Sequence, residues 1–269
     1  MTAPARACVF GLGEAGSLIA GDLAAGGVEV HGYDPATVAT PPGVHRHDRP
    51  GAAVAGADLV LSITASVDAP AALAQALDTI PRGATYADLA TASAGLKHEL
   101  AAVAGDAGLG FVDVALMAVV PGNGLRTPAL ASGPAAGAFV AAMRPLGMPV
   151  EHAGDEPGRA ATRKLLRSVV MKGLAGLVIE AMRAADAAGL ADETWATVAA
   201  QIGAADEQLL RRLVGGTATH AARRVHEMEA TAELLGELGI EPVMTRATVE
   251  QLRRIADGGA AVPHPPSTG

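Results

Sequence analysis

The sequence has a single cysteine, Cys8, and only six aromatic residues, three Phe, two Tyr and one Trp, in 269 positions. One thiol cannot close an internal disulfide, and no second thiol joins it in a metal cluster. Cys8 sits in an apolar run and reads as a small core residue. With aromatics at 2%, a surface of rings for stacking bases is not expected. Cations are also in deficit: 20 Lys and Arg stand against 28 Asp and Glu, a formal net charge of −8. That balance argues against a general nucleic-acid binder, because phosphate contacts need clustered positive charge. No run of 18 apolar residues occurs, so no membrane-spanning helix is expected. Met1-Thr2-Ala3-Pro4-Ala5-Arg6 leads into an apolar strand without a signal-peptide pattern. The expectation is a cytoplasmic, soluble protein.

What the chain has in quantity is aliphatic side chains, with half of all residues hydrophobic, and 33 glycines. The core must therefore be built of Ala, Val and Leu, and the length suits one large or two ordinary domains. Three of the glycines stand in Ala7-Cys8-Val9-Phe10-Gly11-Leu12-Gly13-Glu14-Ala15-Gly16, a buried strand, a tight turn and the start of a helix. In such a unit Gly11 permits the turn, Gly13 lets backbone approach a pyrophosphate, and Gly16 lets helix and strand pack closely. Free N–H groups and the positive end of the helix dipole then face the phosphates. Helical spacing of Leu18, Ile19 and Leu23 runs to Gly26-Gly27, and a second strand, residues 28–33, ends at Asp34. A carboxylate there accepts hydrogen bonds from an adenine ribose and repels a 2′-phosphate, which favours NAD over NADP. If NADP were bound instead, Asp34 would turn away and Arg46 would take the phosphate.

Residues 35–51 read as a loop with one short strand near Val44. His31, His45 and His47 are close in sequence, but their spacing fits no common metal site. Short helices at 52–56, 71–77 and 94–103 alternate with strands at 58–64, 85–89 and 111–117, and two further strands at 127–132 and 148–152 complete a doubly wound sheet. The hydroxyls of Thr91 and Ser93 either face a nicotinamide ring or cap the following helix. From Gly158 only helical patterning remains, with helices at 158–190, 192–213, 217–238 and 243–255. The expected architecture is α/β: an N-terminal Rossmann doubly wound sheet over 1–155, an all-helical domain over 158–256, and a disordered tail over 257–269.

Residues 157–179 contain no Asp or Glu but hold Arg159, Arg163, Lys164, Arg167 and Lys172, five of the chain's 20 cations. Lys164, Ser168 and Lys172 recur every four residues and so share one helix face. Such a face suits an anionic substrate and a lysine beside a reacting alcohol; it also suits a solvated face with snorkelling lysines. The apolar residues Val169, Val170, Met171, Leu174 and Leu177 imply that the segment is largely buried, and a buried cation needs a partner or a task.

With these features assembled, the chain resembles the β-hydroxyacid dehydrogenase family, which includes 3-hydroxyisobutyrate and 6-phosphogluconate dehydrogenases. Gly11-Leu12-Gly13-Glu14-Ala15-Gly16 is similar to that family's G-L-G-x-M-G, with Ala15 in place of Met. Gly158 and Lys164 fit the family helix G-x-x-x-x-x-K-x-x-x-N, with Ser168 at the Asn position. The resemblance implies a Rossmann domain followed by a helical domain, a catalytic role for Lys164 and a substrate contact at Ser168, with Lys172 one turn on. Members acting on hydroxyisobutyrate hold the substrate carboxylate with Ser-Gly-Gly. Here Met117-Ala118-Val119 stands in that place, so Met117 and Ala118 become substrate-side residues and hydroxyisobutyrate itself is not expected. Lys164-Leu165-Leu166-Arg167-Ser168 with Met171-Lys172-Gly173 looks more like a poorly described 6-phosphogluconate-dehydrogenase-like branch. The resemblance also implies cofactor contacts from Leu12, Glu14, Thr64, Ala65, Thr91 and His226.

Together these imply an NAD-dependent oxidoreductase, with NADP possible, acting on a small anionic hydroxy acid and working as a homodimer. An imine reductase on the same architecture and a non-catalytic dinucleotide sensor are the alternatives.

Overall fold

A computed structural model describes residues 3–263 of the chain. It divides into two compact units, Met1–Arg167 and Ser168–Gly269. The disordered tail expected from 257 lies in part, at 264–269, outside the described residues.

The first unit is built on an eight-stranded sheet: β1 (Arg6–Phe10), β2 (Glu29–Tyr33), β3 (Val44–His47), β4 (Leu59–Ser62), β5 (Thr85–Asp88), β6 (Gly110–Leu116), β7 (Ala129–Ser132) and β8 (Val150–Gly154). Their spatial order is β3-β2-β1-β4-β5-β6-β7-β8. All pairs are parallel except β6 with β7. Order reverses between β1 and β4, which opens a crevice at their carboxyl ends.

The strands carry apolar residues on both faces because helices cover both. On one face Ala7 and Val9 of β1 share a cluster with Ile19, Ala20 and Leu23 of α1 (Glu14–Ala25), and that cluster continues along the sheet to Phe139, Val140 and Met143. On the other, Cys8 and Phe10 join Ala53 and Val54 of α2 (Pro50–Val54), Leu73 and Ala76 of α3 (Ala69–Leu77) and Leu100 and Ala104 of α4 (Ala94–Asp106). Cys8 is fully buried, and desolvation pushes its thiol well above the ordinary range, so it stays an unreactive core residue. Phe139, Val140 and Met143 belong to α5 (Ala136–Met143), an Ala- and Gly-rich helix that the sequence reading does not mark. At the sheet edge His31 stacks on His47, with the His45 ring tilted beside it: His31 Nδ1 lies 2.7 Å from His47 Nε2, and His31 Nε2 lies 2.9 Å from Glu29 Oε1. Hydrogen bonds from Arg6 and His31 hold the Glu29 carboxyl at about 2, so it is the acceptor that fixes the His31 tautomer.

α6 (Arg159–Ala187) is one unbroken helix, as its periodicity predicts. Two helix boundaries beyond it differ from expectation. Glycines 215 and 216 do not break the chain; they lie inside α8 (Glu207–Glu237), which bends instead at His220. The break comes earlier, between α7 (Ala191–Gly203) and α8, where the Asp206 carboxylate accepts the Leu209 N–H at 2.8 Å and starts a new helix. Two glycines cost only about 1 kcal/mol each in a helix interior, which the rest of a long helix can absorb.

In the second unit, Val225 of α8 packs with Val249 and Leu252 of α9 (Val243–Ala256). Glu180 of α6 caps α9 from outside: its carboxylate accepts the Met244 N–H at 2.7 Å, the Thr245 N–H at 2.8 Å and the Thr245 hydroxyl at 2.7 Å. Burial pushes this carboxyl up, but the hydrogen bonds prevail and hold it below its ordinary value. A folded-state pKa below the unfolded one means stability that is present above about pH 4.5 and lost as pH falls through the folded value. Glu180→Gln is therefore expected to destabilise the protein by about 1–3 kcal/mol at pH 7 and to flatten the acid limb of stability against pH. Urea midpoints between pH 3 and 7 measure both; an unchanged acid limb in the variant refutes the assignment.

Candidate functional site

The glycine turn closes at the carboxyl end of β1. Gly11 donates its N–H to Tyr33 O at 2.9 Å and has φ +84°, and a Cβ on it would lie 2.3 Å from Ile63 O. A Cβ on Gly16 would lie 1.8 Å from Gly11 O. Both positions thus require glycine for the protein's own packing. Gly13 differs: a Cβ there meets nothing within 4 Å, and its φ of −65° suits any residue. Gly13 is also the N-cap of α1, without a side-chain acceptor for the helix's first N–H groups. Space and unsatisfied donors coincide at the position where a pyrophosphate would sit. The residues present fit a dinucleotide.

Gly11, Gly13, Asp34, Thr64 and Ala65 line one cleft of about 350 Å³ together with Tyr33, Ile63 and Gln75. Asp34 accepts the Leu12 N–H at 2.7 Å through Oδ2 and the Ala36 N–H at 2.8 Å through Oδ1. Each oxygen keeps a lone pair, so the anchored carboxylate can still accept ribose hydroxyls. Arg46 does not stand open for a phosphate. Its guanidinium holds the loop after β2 by Val38 O, by Ala36 O at 2.6 Å and by Asp34 O at 3.2 Å. Glu14 is exposed in the first turn of α1, and Ala15 is half-buried.

Thr91 is exposed in the segment following β5, whereas Ser93 caps α4 by accepting the Leu96 N–H at 3.3 Å. The cap reading therefore holds for Ser93. Met117 and Ala118 follow β6. α6 starts beside the middle of β6, where Ala161 N–H donates to Asp113 Oδ2 at 2.9 Å, and reaches the strand's carboxyl end, where Arg167 Nη1 donates to Met117 O at 2.7 Å. Lys164, half-buried, lies between them. Ala160, which is wholly buried against Ala115, Leu130 and Ala153, shares its face at i and i+4. Arg163 is turned outward to Glu151 at 2.8 Å.

Ser168 and Lys172 follow along α6 in the second unit, as does His226 on α8, where it is exposed. The burial expected of this stretch is not found: Val169 is 72% exposed, Val170 64% and Met171 50%. Apolar character alone overstates burial, because a single chain does not cover every side of a helix whose apolar residues are spread around it among charged ones.

Sequence reasoning missed the buried polar residues of this region, Lys97, Asp88, Asp113 and Ser132, all of them fully inaccessible. The signal available was a charge inside each of two apolar strands.

Comparison with known proteins accords with this geometry. Residues 6–122 match the NAD binding domain of 6-phosphogluconate dehydrogenase, and residues 185–255 match a domain of unknown function, DUF1932. An uncharacterized 28.5 kDa protein of Methanothermus fervidus is 29% identical over 111 residues, 41% of this chain and 44% of that protein, so the match spans less than half the relative's length. Conserved protein MTH1747, of unknown function and reported as structurally similar to 3-hydroxyacid dehydrogenases, is 26% identical, with a TM-score of 0.59 over 95% of this chain and all of that one. The imine reductase of Myxococcus stipitatus in complex with NADP+ is 19% identical, with a TM-score of 0.80 over 96% of each chain, and its V8 variant in complex with NAD+ is 20% identical at 0.79 over 98% of this chain and 97% of that one. The chain thus has the NAD(P)-binding oxidoreductase fold shared by hydroxyacid dehydrogenases and imine reductases, with a first part that matches the NAD binding domain of 6-phosphogluconate dehydrogenase and a later part that matches DUF1932.

Proposed function

We propose that the protein is an NAD-dependent dehydrogenase that oxidises a small anionic hydroxy acid, or reduces the corresponding oxo acid. What supports the reading is the course of α6 from Ala161, which donates to Asp113 in β6, to Arg167, which donates to Met117 O just past the carboxyl end of that strand, with Lys164 on the turn between them. The dinucleotide supplies the hydride acceptor. As the carbinol C–H leaves as hydride, Lys164 Nζ takes the hydroxyl proton, and in the reverse direction it returns that proton to the carbonyl oxygen.

Arg167, fixed by one nitrogen to Met117 O, adds positive charge beside Met117 and Ala118 and favours an anionic substrate. Ser168 and Lys172 are assigned to substrate oxygens from the helical spacing alone. Thr64, Ala65, Thr91 and His226 are assigned to the cofactor from the family pattern. The exposed Leu166, Val169, Val170, Met171 and Ile179 of α6 support a homodimer in which a second copy covers them.

The first test is fluorescence titration with NADH and with NADPH. NADH is expected to bind at least tenfold more tightly, and Asp34→Ala to abolish that preference, since losing hydrogen bonds to a charged acceptor costs about 1.5–3 kcal/mol. Preference for NADPH in the parent protein overturns the role of Asp34. A panel of oxo acids with NADH then tests the reaction. Turnover confined to a cyclic imine such as 1-pyrroline would make the protein an imine reductase, and no turnover with any carbonyl or imine would leave a dinucleotide sensor.

A further inference from the structure

We propose that a buried relay of charged and polar side chains, Lys97, Asp88, Asp113 and Ser132, positions Lys164 by capping the helix that carries it. The inference rests on the reading of Lys164 given above. All four residues are fully inaccessible, and each comes from a different element: α4, β5, β6 and β7. Lys97 Nζ donates to Asp88 Oδ2 at 2.7 Å and to Asp88 O at 3.0 Å, and pairs with Asp113 Oδ1 at 3.0 Å. Asp113 Oδ2 accepts the Ser132 hydroxyl at 3.1 Å and the Ala161 N–H at 2.9 Å. Ser132 Oγ in turn accepts the Ala160 N–H at 2.9 Å.

Two carboxylates and one ammonium in a dry interior are not an economical way to hold a fold. Well-packed apolar residues of similar volume are often as stable or more so. Direction is what the charges add. The residues just before α6, Glu156, Pro157 and Gly158, give none of the side-chain bonds that cap its first turn; the sheet supplies those acceptors. The residue before α6 packs closely on the start of α4: a Cβ on Gly158 would lie 2.8 Å from Ala94 Cα.

The same residues stand at the roots of the proposed site. Thr91 is three residues past Asp88, Met117 four past Asp113, and Lys164 three past Ala161. A shift in any one of the four side chains therefore moves Lys164 against the two segments with which it would act, and about 1 Å of such displacement is enough to cost a hundredfold in rate.

The test uses Ser132→Ala, which removes the acceptor for Ala160 without changing charge or leaving a large void, with Asp113→Asn as a second, nearly isosteric variant. Three quantities are read on the full chain: amide hydrogen exchange of residues 160–164, the rate at which acetic anhydride labels Lys164 relative to Lys172, and the affinity for NADH. In Ser132→Ala, exchange at Ala160 and Ala161 is expected to rise at least tenfold and the Lys164 to Lys172 labelling ratio to change at least threefold, while NADH affinity stays within twofold. Ser132→Thr, which restores the hydroxyl, should return both readings to the parent values. Unchanged exchange overturns the proposal, and so does faster exchange with an unchanged labelling ratio, because the relay would then cap the helix without placing Lys164. None of these readings depends on a substrate. A fully active Lys164→Ala variant would sink the dehydrogenase reading while leaving the placement of the helix to be decided by labelling.

Discussion

Lys164→Ala is expected to lower turnover about a thousandfold while leaving the affinity for NADH within twofold. The magnitude is that of a positioned general acid–base group, about 10²–10⁴ in rate, or roughly 4 kcal/mol of barrier at a thousandfold. The separation of the two effects follows from the fold: the glycine turn and Asp34 lie at β1 and β2, whereas Lys164 follows the capped start of α6 beside β6. Lys164→Arg separates proton transfer from charge. A guanidinium keeps the positive charge but does not deprotonate in proteins, so the arginine variant should be nearly as slow as the alanine one. Steady-state kinetics with the most active oxo acid, together with NADH titration, measure both. Turnover within threefold of the parent in either variant would remove Lys164 from the mechanism.

The second large effect separates two glycines that look alike in sequence. Gly13→Ala should fold with close to parental stability and bind NADH at least a hundredfold more weakly. Its Cβ meets no protein atom within 4 Å, and Gly and Ala differ by only about 1 kcal/mol or less at helix ends and interiors. The loss falls on the bound state, where the methyl group would occupy the space left for the pyrophosphate at the uncapped start of α1. Gly16→Ala should instead damage the protein itself, because its Cβ would lie 1.8 Å from the Gly11 carbonyl oxygen. α1 then has to move off β1, at a cost of several kcal/mol for a buried overpacking change. Thermal unfolding and NADH titration on the pair distinguish them. Equal stability of the two variants would show that the turn can shift without cost, and tight NADH binding by Gly13→Ala would place the pyrophosphate elsewhere.

Much of the α/β half could be read from the sequence because its signals are local. Apolar runs of four to seven residues separated by glycine turns define the parallel strands, and Ala7, Cys8, Val9 and Phe10 are apolar at every position because helices cover both sheet faces. The glycine turn and the acidic end of β2 are local patterns with a mechanical reason, and Gly11, Gly13, Asp34, Thr64 and Ala65 do line a common cleft. The helical half was less legible. α7 and α8 part at Asp206 rather than at Gly215-Gly216, since a side-chain cap and the packing of neighbouring turns outweigh intrinsic propensity. The aliphatic residues after Lys164 gave the wrong burial, because hydrophobic character does not say whether one chain has enough surface to cover them.

By itself, then, the sequence determined the class of fold, the place of the dinucleotide turn and the single helix from Arg159 to Ala187, since each depends on side-chain periodicity or on a glycine's missing Cβ within a short stretch. Only the tertiary structure decided what holds that helix in place. Lys97, Asp88, Asp113 and Ser132 are scattered over 45 residues, 88–132, and four elements, and nothing in their local patterns joins them. They meet because β5 pairs with β6 in parallel and β6 with β7 antiparallel, which sets Asp88 beside Asp113 and Asp113 beside Ser132. Long-range register of that kind arises from the packing of the whole sheet, and no short window of sequence contains it.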